Sequence, residues 1–242
     1  MLMLPPSVLL VLVSTTFAAT GSEWLAQADA AASPAQDTHA VMAVAMKDAK
    51  GREVSRTLEI WQKGSDLRMV RLTEPPRLAG VGMLVDADDV VHLYLPSYDR
   101  TRRVIGDQRG DAFMGTDISM EDLARTSFAE EYTATVESEG PAAVSLMLTP
   151  IDPKAHSHTT SRLVLRTSDQ LWTTLEHLDA TGAVLRRVLL SDFREVDGYP
   201  FAHTMKVEDL ERERTTVATA SEVAFDRGLD DELFTVTSLS RP

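Results

Sequence analysis

The sequence predicts a mainly β protein, an antiparallel sheet of short strands accompanied by one or two helices. From Val41 onward, about a dozen runs alternate apolar and polar residues, with turn signals every eight to twelve positions. No stretch rich in Gly, Ser or Pro divides the chain, and no internal repeat is evident. At 242 residues the chain can bury a sizeable core. The spacing points to an antiparallel sandwich or barrel rather than to parallel βαβ units.

Residues 1–18 read as a secretory signal peptide. Val8 to Val13 is purely apolar, no charged side chain precedes Glu23, and Thr16-Phe17-Ala18 offers small residues for cleavage. The run is too short to span a bilayer comfortably. No Lys or Arg precedes it, a departure from the usual signal. The expected compartment is the periplasm, with a soluble mature chain. Residues 19–40 are expected to form an N-terminal helical segment. There, SEWLAQADAAAS is rich in helix formers, with Ser22 as N-cap and Pro34 past the end. Residues 41–242 are expected to form a single β domain.

Within that domain, Asp48-Ala49-Lys50-Gly51 and Lys63-Gly64-Ser65-Asp66 bracket EVSRTLEIW (53–61), in which Val54, Leu58 and Ile60 share one parity. DLRMVRL, GVGMLVD, VVHLYLP and TRRVIGD complete a first series. EYTATVES, AAVSLMLTP, SRLVLRT, TTLEHLD, VLRRVLLSDF, FAHTMKVED and a run near 215–225 form a second. Asp179-Ala180-Thr181-Gly182 and Asp197-Gly198 supply hairpin turns.

Between the two series lies DAFMGTDISMEDLA, residues 111–124. Ser119 is a good N-cap, and Asp122, three residues on, completes a capping box with Asp in place of Glu. The helix should begin at Met120, its first turn carrying Glu121 and Asp122 where the helix dipole favours them. Gly115 permits a sharp change of direction just before. Phe113 and Met114 then enter the concavity of the sheet as a plug, and the short helix closes over it.

Composition narrows the chemistry. There are 37 acidic and 24 basic side chains, a net charge of −13, which argues against a nucleic-acid partner. Cysteine is absent, so disulfides, thiolate catalysis and a lipidated N-terminal cysteine are excluded. No nucleophile elbow, H-E-x-x-H, phosphate loop or dinucleotide fingerprint is present, and no cofactor is expected. His156-Ser157-His158 is the one close histidine pair; it reads as an exposed loop or as two ligands of a metal whose third ligand is unspecified. His92, His177 and His203 fall in strand-like runs. Arg100, Arg102, Arg103 and Arg109 form a basic cluster on an acidic protein. Two readings stand for it: contact with an anionic headgroup or an acidic partner, or a solvated hairpin flank that neutralises Asp99 and Asp107. The scattered methionines suit either an ordinary core or a surface that accepts varied apolar ligands.

AFMGTDISMEDL resembles the FMGSDFSYEDL signature of the bacterial outer membrane lipoprotein-sorting family, relatives of the periplasmic carriers LolA and LolB. Trp61, Gly64 and Arg68 agree with it in order, as do Pro76, Gly80, Gly82 and Leu84, and Tyr94-Leu95-Pro96 with Arg100 and Arg103. Gly198-Tyr199-Pro200, Met205 and Leu233-Phe234 resemble its final strands. Thr116, Ile118 and Met120 depart from the Ser and the two aromatics of the signature. The resemblance implies an incomplete, half-open antiparallel β-barrel whose apolar hollow is covered by a helical lid. It implies a non-catalytic periplasmic carrier of lipid or lipoprotein acyl chains. Alternation nominates Leu58, Ile60, Met69, Met83, Leu93, Phe113, Met114 and Leu148 as lining. Two alternatives remain: an accessory subunit of a resistance–nodulation–division-type lipid exporter in the inner membrane, and a metal-dependent envelope hydrolase using His156 and His158. Oligomeric state is not set by the sequence; a monomer is the working expectation.

Overall fold

The first helix is set by Thr20 rather than Ser22. Its hydroxyl accepts from the Glu23 N–H at 3.3 Å, and the Glu23 carboxylate accepts from the Thr20 N–H at 2.6 Å. Thr-x-x-Glu is a capping box, so the helix starts one residue before the expected cap. In the computed structural model, which describes residues 19–32 and 35–241, this helix is α1, Gly21–Ala32. The expected signal segment and Pro34 lie outside the described residues. Gly21 is pressed against the sheet: a Cβ there would lie 2.1 Å from the Ala134 carbonyl oxygen.

Each strand-like run of the sequence is a strand. The first series comprises β1 (Asp37–Lys47), β2 (Glu53–Lys63), β3 (Leu67–Glu74), β4 (Gly82–Val85), β5 (Val91–Leu95) and β6 (Arg100–Val104). The second comprises β7 (Tyr132–Glu139), β8 (Ala143–Pro150), β9 (Ser161–Arg166), β10 (Trp172–Leu178), β11 (Val184–Val196), β12 (Tyr199–Asp209) and β13 (Arg214–Phe225). β1 begins ahead of Val41, inside the segment expected to be helical. Asp37 anchors that start, its carboxylate accepting the N–H groups of Arg227, Gly228 and Leu229.

The thirteen strands make one antiparallel sheet, ordered β6-β5-β4-β3-β2-β1-β13-β12-β11-β10-β9-β8-β7. The chain enters at the centre, steps out to β6, crosses to β7 and steps back until β13 pairs with β1. β6 and β7 are not paired with each other, so the barrel is incomplete. The crossing segment, residues 105–131, carries α2 (Met120–Ala124) and α3 (Phe128–Glu131). It lies over the concave face, with α3 packed against α1.

The concave face carries the main core. Ala40, Met42 and Val44 of β1, Leu58 of β2, Val70 and Leu72 of β3, and Leu146, Leu148, Leu163 and Leu165 opposite meet Phe113, Ile118, Met120 and Leu123 from above. A smaller cluster sits on the convex face: Met69, Leu84 and Tyr94 under Phe234 and Leu239. Two expectations are corrected here. Met69 lies on the convex face, because β3 places Val70 and Leu72 on the concave side. Leu233 and Phe234 belong to a single 3-10 turn (Asp231–Phe234) that precedes α4 (Val236–Leu239), not to a strand. Among the described residues, no helix is long and apolar enough to cross a membrane.

Candidate functional site

The lid is built from the signature segment and is fastened by charge. Ser119 accepts from the Asp122 N–H at 3.0 Å, while the Asp122 carboxylate accepts from the Ser119 N–H at 2.8 Å, the expected capping box. The same carboxylate pairs with both terminal nitrogens of Arg186 on β11, one at 3.1 Å and one closer. Arg186 also donates to the Asp117 carbonyl at 2.9 Å. Burial alone would push the Asp122 carboxyl up, but facing Arg186 holds it below its ordinary range.

Further ties repeat this arrangement. Asp117 pairs with Arg214 at 2.5 Å and accepts from the Thr216 hydroxyl at 2.8 Å. Arg68 on β3 donates to the carbonyls of Leu123 and Arg125 at 3.1 and 2.6 Å. Burial, together with the Arg125 charge, brings its guanidinium down to about 10. Arg56 on β2 donates twice to the carbonyl of Met114, at 3.1 and 2.9 Å. Met114 itself has φ 48°, a left-handed conformation uncommon for a side chain of this kind, and Gly115 follows at φ 83°. The expected turn at Gly115 is therefore two residues long. Asp29, near the end of α1, accepts from the Ser127 hydroxyl and from the N–H groups of Phe128 and Ala129, each at 2.8 Å. α1 thereby holds the start of α3.

Glu121 faces the other way from Asp122. It accepts from Tyr132 at 3.1 Å, His156 at 3.0 Å, the Ser157 hydroxyl at 2.9 Å and Arg125 at 3.2 Å. Burial would raise its pKa; His156 and Arg125 outweigh that and hold it well below the carboxylate range. The His156 side chain is only 4% exposed and His158 is half-buried, so the reading of both histidines as exposed is corrected, although Ser157 between them is exposed. His158 instead stacks on His177 at 4.2 Å. The two histidines therefore point to different partners, and among the described residues no group of three or more ligating side chains is placed to hold a metal ion.

Between the lid and the sheet is an apolar cavity of about 270 Å³. Ala40 and Met42 of β1 and Ile60 of β2 form one wall, and Val188, Leu190, Phe201 and Met205 of β11 and β12 form another. Leu123 and Phe128 roof it, and Trp172 stands at one side, edge-on to Phe128 at 5.7 Å. Of the nominated lining residues, Ile60 alone borders this cavity. Leu58, Met83, Leu93, Phe113 and Leu148 are fully buried in the filled part of the concave core, Met114 packs at its margin, and Met69 is on the other face. Alternation finds which face is buried but not where that face stays unfilled. The missed residues had one signal: β11 and β12 run past their neighbours and carry half-buried Leu190, Phe193 and Phe201. The arginine cluster also divides. Arg100, Arg102 and Arg103 are exposed on edge strand β6, whereas Arg109 is buried 3.6 Å from Asp89.

A family model described as "Uncharacterized protein" matches residues 64–241. Among solved structures, the chain is similar to a DUF1329 family protein from Desulfovibrio piger, with TM-score 0.82 and 22% identity over 90% of this chain and 97% of that one. It is similar to a putative outer membrane lipoprotein-sorting protein domain from Vibrio parahaemolyticus, with TM-score 0.82 and 23% identity over 91% and 98%. A LolA superfamily protein from Nitrosomonas europaea gives TM-score 0.76 and 22% identity over 91% and 100%. At these identities the likeness establishes the fold. No curated protein sequence matches the chain.

Proposed function

The chain belongs to the family whose model spans residues 64–241 and has the fold of the lipoprotein-sorting proteins, and from that premise we propose a non-catalytic periplasmic carrier of acyl chains. The observation that carries this reading is the apolar cavity under a lid held by ion pairs. An acyl chain placed there leaves water, each methylene contributing about 0.8 kcal/mol. Its volume of about 270 Å³ lies just below the roughly 300–1,000 Å³ of small-molecule pockets. A whole chain therefore requires α2 and α3 to lift from β11 and β12, and the lift breaks Asp122–Arg186. Cargo is lipid or lipoprotein, with no cofactor and no covalent step.

Quenching by a brominated fatty acid tests this, because bromine acts on contact and Trp172 borders the cavity. The expected result is saturable quenching that falls sharply in Trp172→Phe. Quenching that is absent, or unchanged by the substitution, would sink the reading.

A second reading, contact with an inner-membrane exporter, is favoured by the unpaired β6 edge. Exposed Arg100, Arg102 and Arg103 lie there between Tyr98 and Ile105, which are 73% and 68% exposed. A photo-crosslinker at position 102 that forms no adduct with an inner-membrane protein would remove it.

A further inference from the structure

The Asp122–Arg186 pair has one member in each of two cavities. Asp122 borders the apolar one; Arg186 borders a second, polar cavity of about 510 Å³. The division follows the strands. Along β11, Leu185 and Arg186 face the polar cavity, and Val188, Leu190 and Phe193 face the apolar one. Along β12, Asp209 faces the first and Met205 the second. The two cavities share no lining residue and are bridged by the Asp122–Arg186 pair. The lift that breaks this pair would open one into the other, giving a hollow apolar at one end and polar at the other. Such a hollow matches an amphiphile, so the question is which headgroup the polar end fits.

Charge answers most of it. Three guanidiniums border the polar cavity, and each already faces a carboxylate: Arg186 faces Asp122, Arg212 faces Asp209 at 2.9 Å, and Arg214 faces Asp117 at 2.5 Å. Among the described residues, four carboxylates border it as well, Asp111, Asp117, Asp209 and Glu211. A phosphate would have to displace a carboxylate from its arginine and then sit among the others. A quaternary ammonium carries no hydrogen to donate and no lone pair, so it could satisfy neither member of these pairs. Hydroxyls both donate and accept, so they can satisfy both members of such pairs without adding charge.

Several groups have capacity to spare. The Asp117 oxygen that faces Arg214 at 2.5 Å makes no aligned hydrogen bond and the Arg214 Nε is buried without an acceptor, so both gain a hydroxyl partner only as this pair turns toward the cavity. Such groups cost free energy until a partner arrives. Among the described residues, His158 makes no hydrogen bond, and His177 uses only Nδ1, toward Ser161 at 2.9 Å. Burial pushes both imidazoles below their ordinary pKa, so at neutral pH they are uncharged and can accept as well as donate.

We infer that the polar cavity receives the headgroup of the bound amphiphile, and that this headgroup is uncharged and rich in hydroxyls, as a glycosyl or glycerol head is. The inference rests on the acyl-carrier reading and names its cargo class.

The test is titration of the full mature chain with dodecyl glucoside, dodecyl phosphate, dodecyltrimethylammonium and dodecanol, each below micelle formation, followed by Trp fluorescence. Dodecyl glucoside is expected to bind about tenfold more tightly than the phosphate or the ammonium, the worth of one or two net hydrogen bonds. That ratio should approach one in Asp117→Asn. His158→Ala, at a half-buried ring without a hydrogen bond, should reduce it too and keeps the test open if Asp117→Asn fails to fold. Phosphate or ammonium bound as tightly as the glucoside, or a ratio unmoved by both variants, would overturn the inference. Free glucose that displaced the glucoside at equal concentration would also overturn it, since the sugar would then bind without its chain. Dodecanol bound with no preference among heads leaves the carrier and removes this inference; no binding of any probe removes both.

Discussion

Asp122 serves two neighbours at once, capping α2 through Ser119 and neutralising Arg186 across the hollow. Its side chain is 5% exposed and that of Arg186 is 11% exposed, so removing the carboxylate leaves a buried cation unpaired. Asp122→Ala should therefore cost about 3–5 kcal/mol in urea unfolding, and Asp122→Asn, which can still accept from the Ser119 N–H, should cost less. A loss under about 1 kcal/mol for the Ala variant would mean that the pair is not formed in solution. The cap was legible because Ser-x-x-Asp is a local signal with a fixed spacing. The partner was not, since Arg186 is far away in sequence and only the passage of the crossing segment over the sheet brings it near. Met69 shows the complementary limit. Met69 and Val70 are adjacent and both fully buried, one on each face of β3, so alternation carries no information there.

Among the elements, the strands were the most legible. Their period of two and their turn residues are local, and the open order of the sheet agrees with the signature rather than with the pattern alone. The lid and the C-terminal segment were less so, because short helices depend on what they pack against. Leu239 of α4 illustrates this: a Cβ added at Gly82 of β4 would lie 2.7 Å from its side chain. Gly82→Ala should destabilise by about 1–3 kcal/mol by overpacking, and Leu239→Ala in the same chain should recover part of that loss. Strict additivity in a double-mutant cycle would show that α4 does not sit on β4. At the other end, Asp29→Ala removes three hydrogen bonds to α3 and should speed hydrogen exchange at Phe128 and Ala129 while leaving β11 and β12 protected. Uniform acceleration across the sheet would contradict a local role.

For the whole molecule, the buried charges under the lid set a pH dependence. Burial first, and then His158 and Arg186, depress His177 well below 6.5. A base with a depressed folded pKa binds its proton more readily when unfolded. Stability is therefore full above 6.5 and declines as pH falls below it. Glu121 and Asp122, also depressed in the fold, add a second decline below their ordinary carboxylate values. The urea midpoint should be flat above about pH 7 and lower at about pH 5.5, with a shallower slope in His177→Gln. A midpoint that does not move over that range would contradict the buried histidine. The location of the cavity was the least legible feature of all, since a filled hollow and an unfilled one have the same alternating strands. What this hollow does in the proposed role is carry an acyl chain. Native mass spectrometry of the protein, purified without detergent from a bacterial envelope, tests it most directly. The expected spectrum carries a bound mass that organic solvent removes and that is missing from a folded Leu190→Asp variant. A bare polypeptide mass under gentle conditions, with no uptake of offered lipids, would contradict it.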